Sequence, residues 1–234
     1  MTPSPAHVQG PEPPRIPPLP PSEWPAPLRS LLADSRKDGA GRVNLFGTLA
    51  HHPGLAHAWL SLARVLTHEG TLGDRRRELV VLRTAHRLGG TFVHERHRTP
   101  ATEAGLTPEE ILATAGAPDT HPWTPEERAL LETCDLLVSN SMVPDGLWHQ
   151  LARFLNPEQL IELLVLAGQT AAMCTTLGVL RTPLDSAAPE VGERSGTDGR
   201  VTLPVPEPDR KYAADARLAA DPCPSGALTL MDAP

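Results

Sequence analysis

Proline decides where this chain can fold. Of 27 prolines in 234 residues, eleven fall within residues 1–27 and seven after Ala187. Each proline fixes φ and removes an amide donor, so neither end can build a helix interior or a central strand. Sustained apolar periodicity is confined to the stretch from Asn44 to Asp185, which must therefore hold the core. The expected organisation is a Pro-rich arm and short helix over 1–43, a helical domain over 44–186, and a Pro/Gly-rich tail over 187–234. The tail buries too little to offset its ordering entropy, so it is expected to be disordered or draped over the core. In the arm, Ile16, Leu19 and Trp24 can pin RIPPLPPSEWPAP to a globular surface, and a short helix is expected from Pro27 to about Leu32.

Within the core no segment alternates with period two, and every apolar pattern has helical spacing. Leu45, Phe46 and Leu49 begin a short helix that stops before Pro53. Leu55, Trp59, Leu62 and Leu66 share one face of the next, and Trp59 and Trp148 are core candidates. Asp74 can cap a helix over 75–88 that Gly89-Gly90 ends, and Thr91 can cap the one that follows and stops at Gly105. Thr107-Pro-Glu-Glu110, Thr124-Pro-Glu-Glu127 and Asn156-Pro-Glu-Gln159 each place a capping residue, a proline at the first helical position and an acid or amide at the third. These helices should reach about Ala115, Ser139 and Leu180, with a shorter one from Asp145 to Phe154. The helix over 157–180 is apolar almost all round, which predicts a central buried position or a subunit interface. The fold class is therefore all-α, a compact helical bundle.

A net charge of −7 with scattered Lys and Arg argues against nucleic acid or an anionic membrane as partner. Arg75-Arg76-Arg77 reads as a solvated first helical turn. The apolar run Leu160–Thr170, broken by Glu162 and Gln169, is too short to span a bilayer. Cys134, Cys174 and Cys223 are widely spaced and form no CxxC, which suggests reduced thiols and a cytoplasmic protein. The N-terminus lacks the charged-then-apolar pattern of a secretory signal.

The chemistry is carried by RRRELVVLRTAHRLGGTFVHERH, a helix–Gly-Gly–helix unit with Glu78 and His97 at its two ends. If the helices pack antiparallel around the glycines, the carboxylate can reach and orient the imidazole, and His97 can move a proton. Such a pair needs no cofactor. It can protonate a dienolate at carbon after CO2 is lost, or run an isomerisation, elimination or ring closure. His94 lies one turn before His97 on the same face and can bind a substrate carboxylate. Two imidazoles without a third ligand, and without HExxH, make a poor metal site, so no metal is expected. His51-His52 are assigned a surface or interface role, and Cys174 an apolar filling role.

Further segments bring in a family. NLFGTLAHHPGLAHAWLSLARVL, TLGDRRRELVVLRTAHRLGG, His97 and EAGLTPEEI together resemble the carboxymuconolactone decarboxylase / alkyl hydroperoxidase D-like family. WTPEERALLETCDLL and LNPEQLIELLVLAGQ are similar to its second half, and the likeness runs over roughly residues 14–185. The resemblance implies an all-α fold assembled as trimers or hexamers, a pocket walled partly by a neighbouring subunit, and Glu78 and His97 as relay residues. The hydroperoxidase branch carries cysteines seven and four residues before that histidine, and here those positions are Gly90 and Val93. The chain is thus identified as a thiol-free, divergent member. Where thiol-free relatives have EYEWxxH this chain has TFVHERH, and Thr170, Ala171 and Gly178 replace larger polar residues.

These residues point to a cofactor-independent lyase or isomerase acting on a small conjugated acid, lactone or polyketide-like molecule. A non-catalytic binding or scaffold protein is the alternative, motivated by the losses at Val93, Thr170, Ala171 and Gly178. A hydroperoxide reductase using Cys174 is the third reading.

Overall fold

A computed structural model describes residues 12–26, 28–29, 43–139 and 142–185. The expectations for residues 1–11, for most of the helix over 27–32 and for the tail over 187–234 lie outside the described residues. All regular structure among the described residues is helical. A 3-10 turn at Pro21–Glu23 precedes α1 (Val43–Leu49) and α2 (Pro53–Arg64), which runs into a π-helical turn at Val65–Glu69. Then come α3 (Asp74–Arg87), α4 (Thr91–Glu103), α5 (Pro108–Ala113), α6 (Pro125–Ser139), α7 (Asp145–Leu151) and α8 (Pro157–Leu180).

The helix starts follow the local chemistry. Thr107 and Asn156 form complete capping boxes with Glu110 and Gln159. Thr124 and Glu127 exchange the same pair of bonds at the start of α6. Asp74 and Thr91 do not cap: Gly73 and Gly90 take the N-cap positions, and each expected cap is the first helical residue. Gly73 has φ +88°, a left-handed conformation that an aspartate adopts only with strain. Gly89, at φ +61°, turns the chain between α3 and α4.

The central helix is α3, not α8. Every residue from Glu78 to Ala85 is buried, because α3 packs against α4, α6 and α8 at once. Two clusters flank it. Val80, Val81 and Ala85 face Phe92, Ala129, Leu163 and Leu166 on one side. Leu79 and Leu82 face Ala101, Ile111, Trp123 and Leu131 on the other. Helix α8 buries Leu160, Leu163, Leu166, Thr170, Cys174 and Leu177 but leaves Ile161, Val165 and Val179 exposed. At 24 residues and a mean hydropathy of 1.7, this helix is long and apolar enough to cross a membrane by length and composition, contrary to the reading of Leu160–Thr170 as too short. Packing against α3 and α4 covers one side of it, and 33% of its apolar window is buried within the chain.

The face of α2 is also corrected. Leu66 is buried, but Leu55 and Leu62 are 48% and 40% exposed, and Trp59 is half-buried. Helix α2 packs chiefly on α1 and the π-turn, so its apolar stripe has little to cover it within the chain. Trp148 is exposed as well, and the buried tryptophan is Trp123.

The arm docks as expected through Leu19 and Trp24. Leu19 N–H donates to the Gly47 carbonyl at 3.1 Å, Trp24 Nε1 to the Leu19 carbonyl at 2.8 Å, and Trp24 meets Phe46 edge-on. Gly47 must be glycine, because a Cβ there would collide with the Leu19 carbonyl and Pro18. His51 Nε2 sits 2.9 Å from the Pro17 carbonyl and His52 caps α2, so this histidine pair anchors the arm and a helix end. Ile16 stays exposed.

Arg83 locks three elements together. Its guanidinium, almost fully buried, donates to both Asp135 oxygens at 2.7 and 2.6 Å and to the Thr114 and Gly116 carbonyls. A bidentate carboxylate is the geometry that makes an internal guanidinium tolerable. Asp135→Ala strands that charge, and we expect a loss of about 3 kcal/mol in urea unfolding, whereas a mere surface pair would cost under about 1 kcal/mol.

Candidate functional site

Glu78 lies one turn into α3, in the first of its fully buried positions, with 1% of its surface exposed. A carboxylate cannot stay there unpaired. One oxygen, Oε2, is 2.8 Å from His97 Nδ1, and the other, Oε1, accepts from Arg77 Nε at 3.1 Å. The antiparallel return of α4 after Gly89-Gly90 brings the imidazole to the carboxylate across nineteen residues of sequence. A carboxylate only accepts, so Nδ1 carries the shared hydrogen and Nε2 is left free to take or give a proton. The His97 side chain is 34% exposed, so the pair is dry at the glutamate and wet at the imidazole.

Arg77 is the residue missed by the sequence reading. None of the three arginines is a loosely solvated charge. Arg75 bridges Glu110 and Glu127 at 2.5 and 2.8 Å, Arg76 pairs with Glu126 at 2.5 Å, and Arg77 binds Asp74, Glu78 and the Thr67 carbonyl. Bonding from Arg75 holds the Glu110 carboxyl below its ordinary range. Through Thr67, Arg77 also ties the relay to the π-turn, an irregularity common at functional sites. The signal available for Arg75 and Arg76 was the acids Glu110, Glu126 and Glu127, and for Arg77 it was its own neighbours on α3, Asp74 and Glu78.

The other expected site residues are placed as follows. His94 is half-buried and lines an open pocket of about 240 Å³ beside the Gly89-Gly90 turn. A second pocket, of about 400 Å³, lies among Arg75, Arg76, Glu126 and Glu127. Glu78 and His97 line neither, so the enclosed cavity expected around them is not formed by the chain's own walls in these pockets. Val93 and Thr170 are buried, Ala171 is half-buried and Gly178 is exposed. Among the described residues no group of three or more His, Cys, Asp or Glu could hold a metal.

Sulfur is closer to the Gly-Gly turn than the sequence suggested. A Cβ on Gly90 would collide with Cys174 Sγ and lie 2.9 Å from Cys174 Cβ. The thiol from α8 therefore fills the space that a side chain at position 90 would need. It is a poor nucleophile there, because burial pushes the Cys174 thiol up to about 11 and that of Cys134 to about 12.

Residues 53–134, which span α2 to most of α6 and include Glu78 and His97, match the carboxymuconolactone decarboxylase family. The match takes in about a third of the chain, and over that segment the chain is similar to the family. An uncharacterised Bacillus subtilis protein, YdfG, is 27% identical over 105 residues, covering 44% of this chain and 71% of its own. The alkylhydroperoxidase D core of a peroxidase-related protein from Ralstonia eutropha superposes with a TM-score of 0.67 at 17% identity, over 75% of this chain and 94% of its own. The debrominase Bmp8 superposes with a TM-score of 0.63 at 16% identity, over 74% of this chain and 92% of its own. At such identities these structures establish the shared helical fold. With Gly90 and Val93, this chain has no cysteine on the first two turns of α4.

For its two described thiols the weakened acidity sets a clear expectation. Thiolate appears only as pH approaches the values above, so iodoacetamide at about pH 8 should leave Cys134 and Cys174 unmodified in the folded chain and alkylate both in urea. Fast labelling of folded Cys174, read by peptide mass spectrometry, would contradict its role as a filler.

Proposed function

We propose that this chain is a cofactor-independent lyase or isomerase in which Glu78 and His97 perform acid–base chemistry. The substrate class is a small conjugated acid, lactone or polyketide-like molecule, and the setting is cytoplasmic. The observation that carries the reading is the 2.8 Å contact between a buried carboxylate and a half-exposed imidazole, with the carboxylate's second oxygen held by Arg77. In the decarboxylating case, the carbon–carboxylate bond breaks and its electron pair moves into the conjugated system as CO2 departs. The ring first takes a proton from water at its free Nε2. The dienolate then takes that proton at carbon, returning His97 to the neutral form, while Glu78 stabilises and orients the ring through Nδ1. In the isomerising case, the same nitrogen removes a proton at one carbon and returns it at another. His94 binds the substrate carboxylate.

Catalysis by a carbon-acid route is favoured over a thiol route because both described cysteines are buried and hold their protons. The shared fold of a debrominase supports an enzyme on this scaffold. The reading also includes a homo-oligomer, a trimer or hexamer. The uncovered apolar face of α8, with Ile161 and Val179 more than half exposed, and that of α2 supply surface for a second copy to wall the imidazole.

The test is turnover of a panel of conjugated acids and lactones, followed by loss of ultraviolet absorbance and by CO2 release. His97→Ala should lower kcat/KM by about a hundredfold or more, and Glu78→Gln by about tenfold or more, with the helical circular dichroism unchanged. Unchanged turnover in His97→Ala removes the mechanism. Saturable binding without product across the panel would favour the binding-protein reading.

A further inference from the structure

We infer that the open pocket at the Gly89-Gly90 turn is a binding site for a small carboxylate with an apolar body, gripped between His86 and His94. The inference deepens the role given to His94 above, and adds His86, which the relay does not use. Neither Glu78 nor His97 lines this pocket.

The two imidazoles come from opposite arms of the helical hairpin. His86 is in the last turn of α3 and His94 in the first turn of α4. Both line the pocket, together with Thr91 and with Ile111 and Leu112 of α5. The floor is the glycine turn, where Gly89 leaves open space. The lining therefore offers both hydrogen-bond donors and aliphatic carbon. Leu112 is 73% exposed at the rim, an apolar side chain that an occupant would cover.

Charge selects the sign of the occupant. His86 faces Arg83 and Arg87, with Asp135 as the opposing acid, and His94 has Glu95 beside it at 3.7 Å. Asp135 is shared by both arginines, so one positive charge is left over at this end of α3. Burial first, then Arg83, His94 and Arg87, pull His86 below its ordinary range. Two protonated rings here repel one another, and an anion between them reverses that sign. Binding an anion therefore carries a proton onto His86, and affinity falls as pH rises through the imidazole range. A metal is the weaker occupant, because two imidazoles are not joined by a third ligand among the described residues. Drug-sized molecules occupy pockets of about 300 Å³ and upward. At about 240 Å³ this one suits a smaller guest, of the size of a single-ring acid.

Benzoate is the probe, titrated calorimetrically into the full chain, with benzamide as its uncharged counterpart. We expect saturable benzoate binding at about pH 5.5 that weakens roughly tenfold or more by about pH 8, and no such pH dependence for benzamide. His86→Ala and His94→Ala should each weaken benzoate roughly tenfold at the lower pH, and Leu112→Ser should weaken both probes. His86 is exposed and His94 half-buried, so the variants should keep the native circular dichroism. His97→Ala should bind benzoate as the parent does, even though its turnover is lost, which distinguishes carboxylate binding by His86 and His94 from proton transfer by His97. The assignment is overturned by no saturable binding, by affinity that ignores pH, or by loss in His97→Ala with none in His86→Ala.

Discussion

A carboxylate buried in the middle of a bundle is the constraint around which this molecule is arranged. Glu78 has almost no contact with solvent, and both of its oxygens are spoken for. Satisfying them fixes several things together. Helix α4 must return antiparallel at a register that delivers His97. Arg77 must lie along the surface of α3, where it also takes the Thr67 carbonyl of the π-turn. The same helix buries a second charge, Arg83, and meets that cost with Asp135 and two carbonyls of the α5–α6 connection. Helix α3 is thus held from both ends by ionic bonds made inside an apolar cluster. That arrangement is rigid because loosening either pair exposes an unmatched charge to low dielectric.

Much of the architecture was legible because local chemistry and global packing agree. Thr107, Thr124 and Asn156 start helices where their capping sequences place them, and Gly89 turns where a positive φ is needed. The misreadings have a common physical origin. Apolar content was taken as a measure of centrality, yet the most enclosed helix carries Glu78, Arg83 and Thr84, while the most apolar one keeps an open side. Partner geometry, not hydropathy, makes a charged residue buriable, and pairing across fifty residues cannot be read from one helix. The arginine run failed for the same reason. Arg75, Arg76 and Arg77 each point to an acid brought in by folding, on α5, on α6 or within α3.

The candidate site was half legible. Spacing alone put Glu78 and His97 within reach, since the hairpin has only one sensible way to close. The part that stayed hidden depends on α8. Cys174 approaches Gly90 from a helix eighty-four residues away in sequence, and no motif announces it. Its thiol takes the space that a side chain at position 90 would need, and burial keeps it protonated. The hairpin presents a carboxylate–imidazole pair at the Glu78 end, and His86 and His94 at the turn beside an open pocket that Ile111 and Leu112 also line.

The central claim is that Glu78 fixes His97 in one tautomer with Nε2 available. Imidazole proton–nitrogen correlation spectra of the full chain near neutral pH address it without a substrate. The account predicts a protonated, hydrogen-bonded Nδ1 on His97 with a strongly downfield proton that disappears in Glu78→Gln. A His97 ring protonated at Nε2 with a bare Nδ1, or a spectrum indifferent to Glu78→Gln, would contradict it.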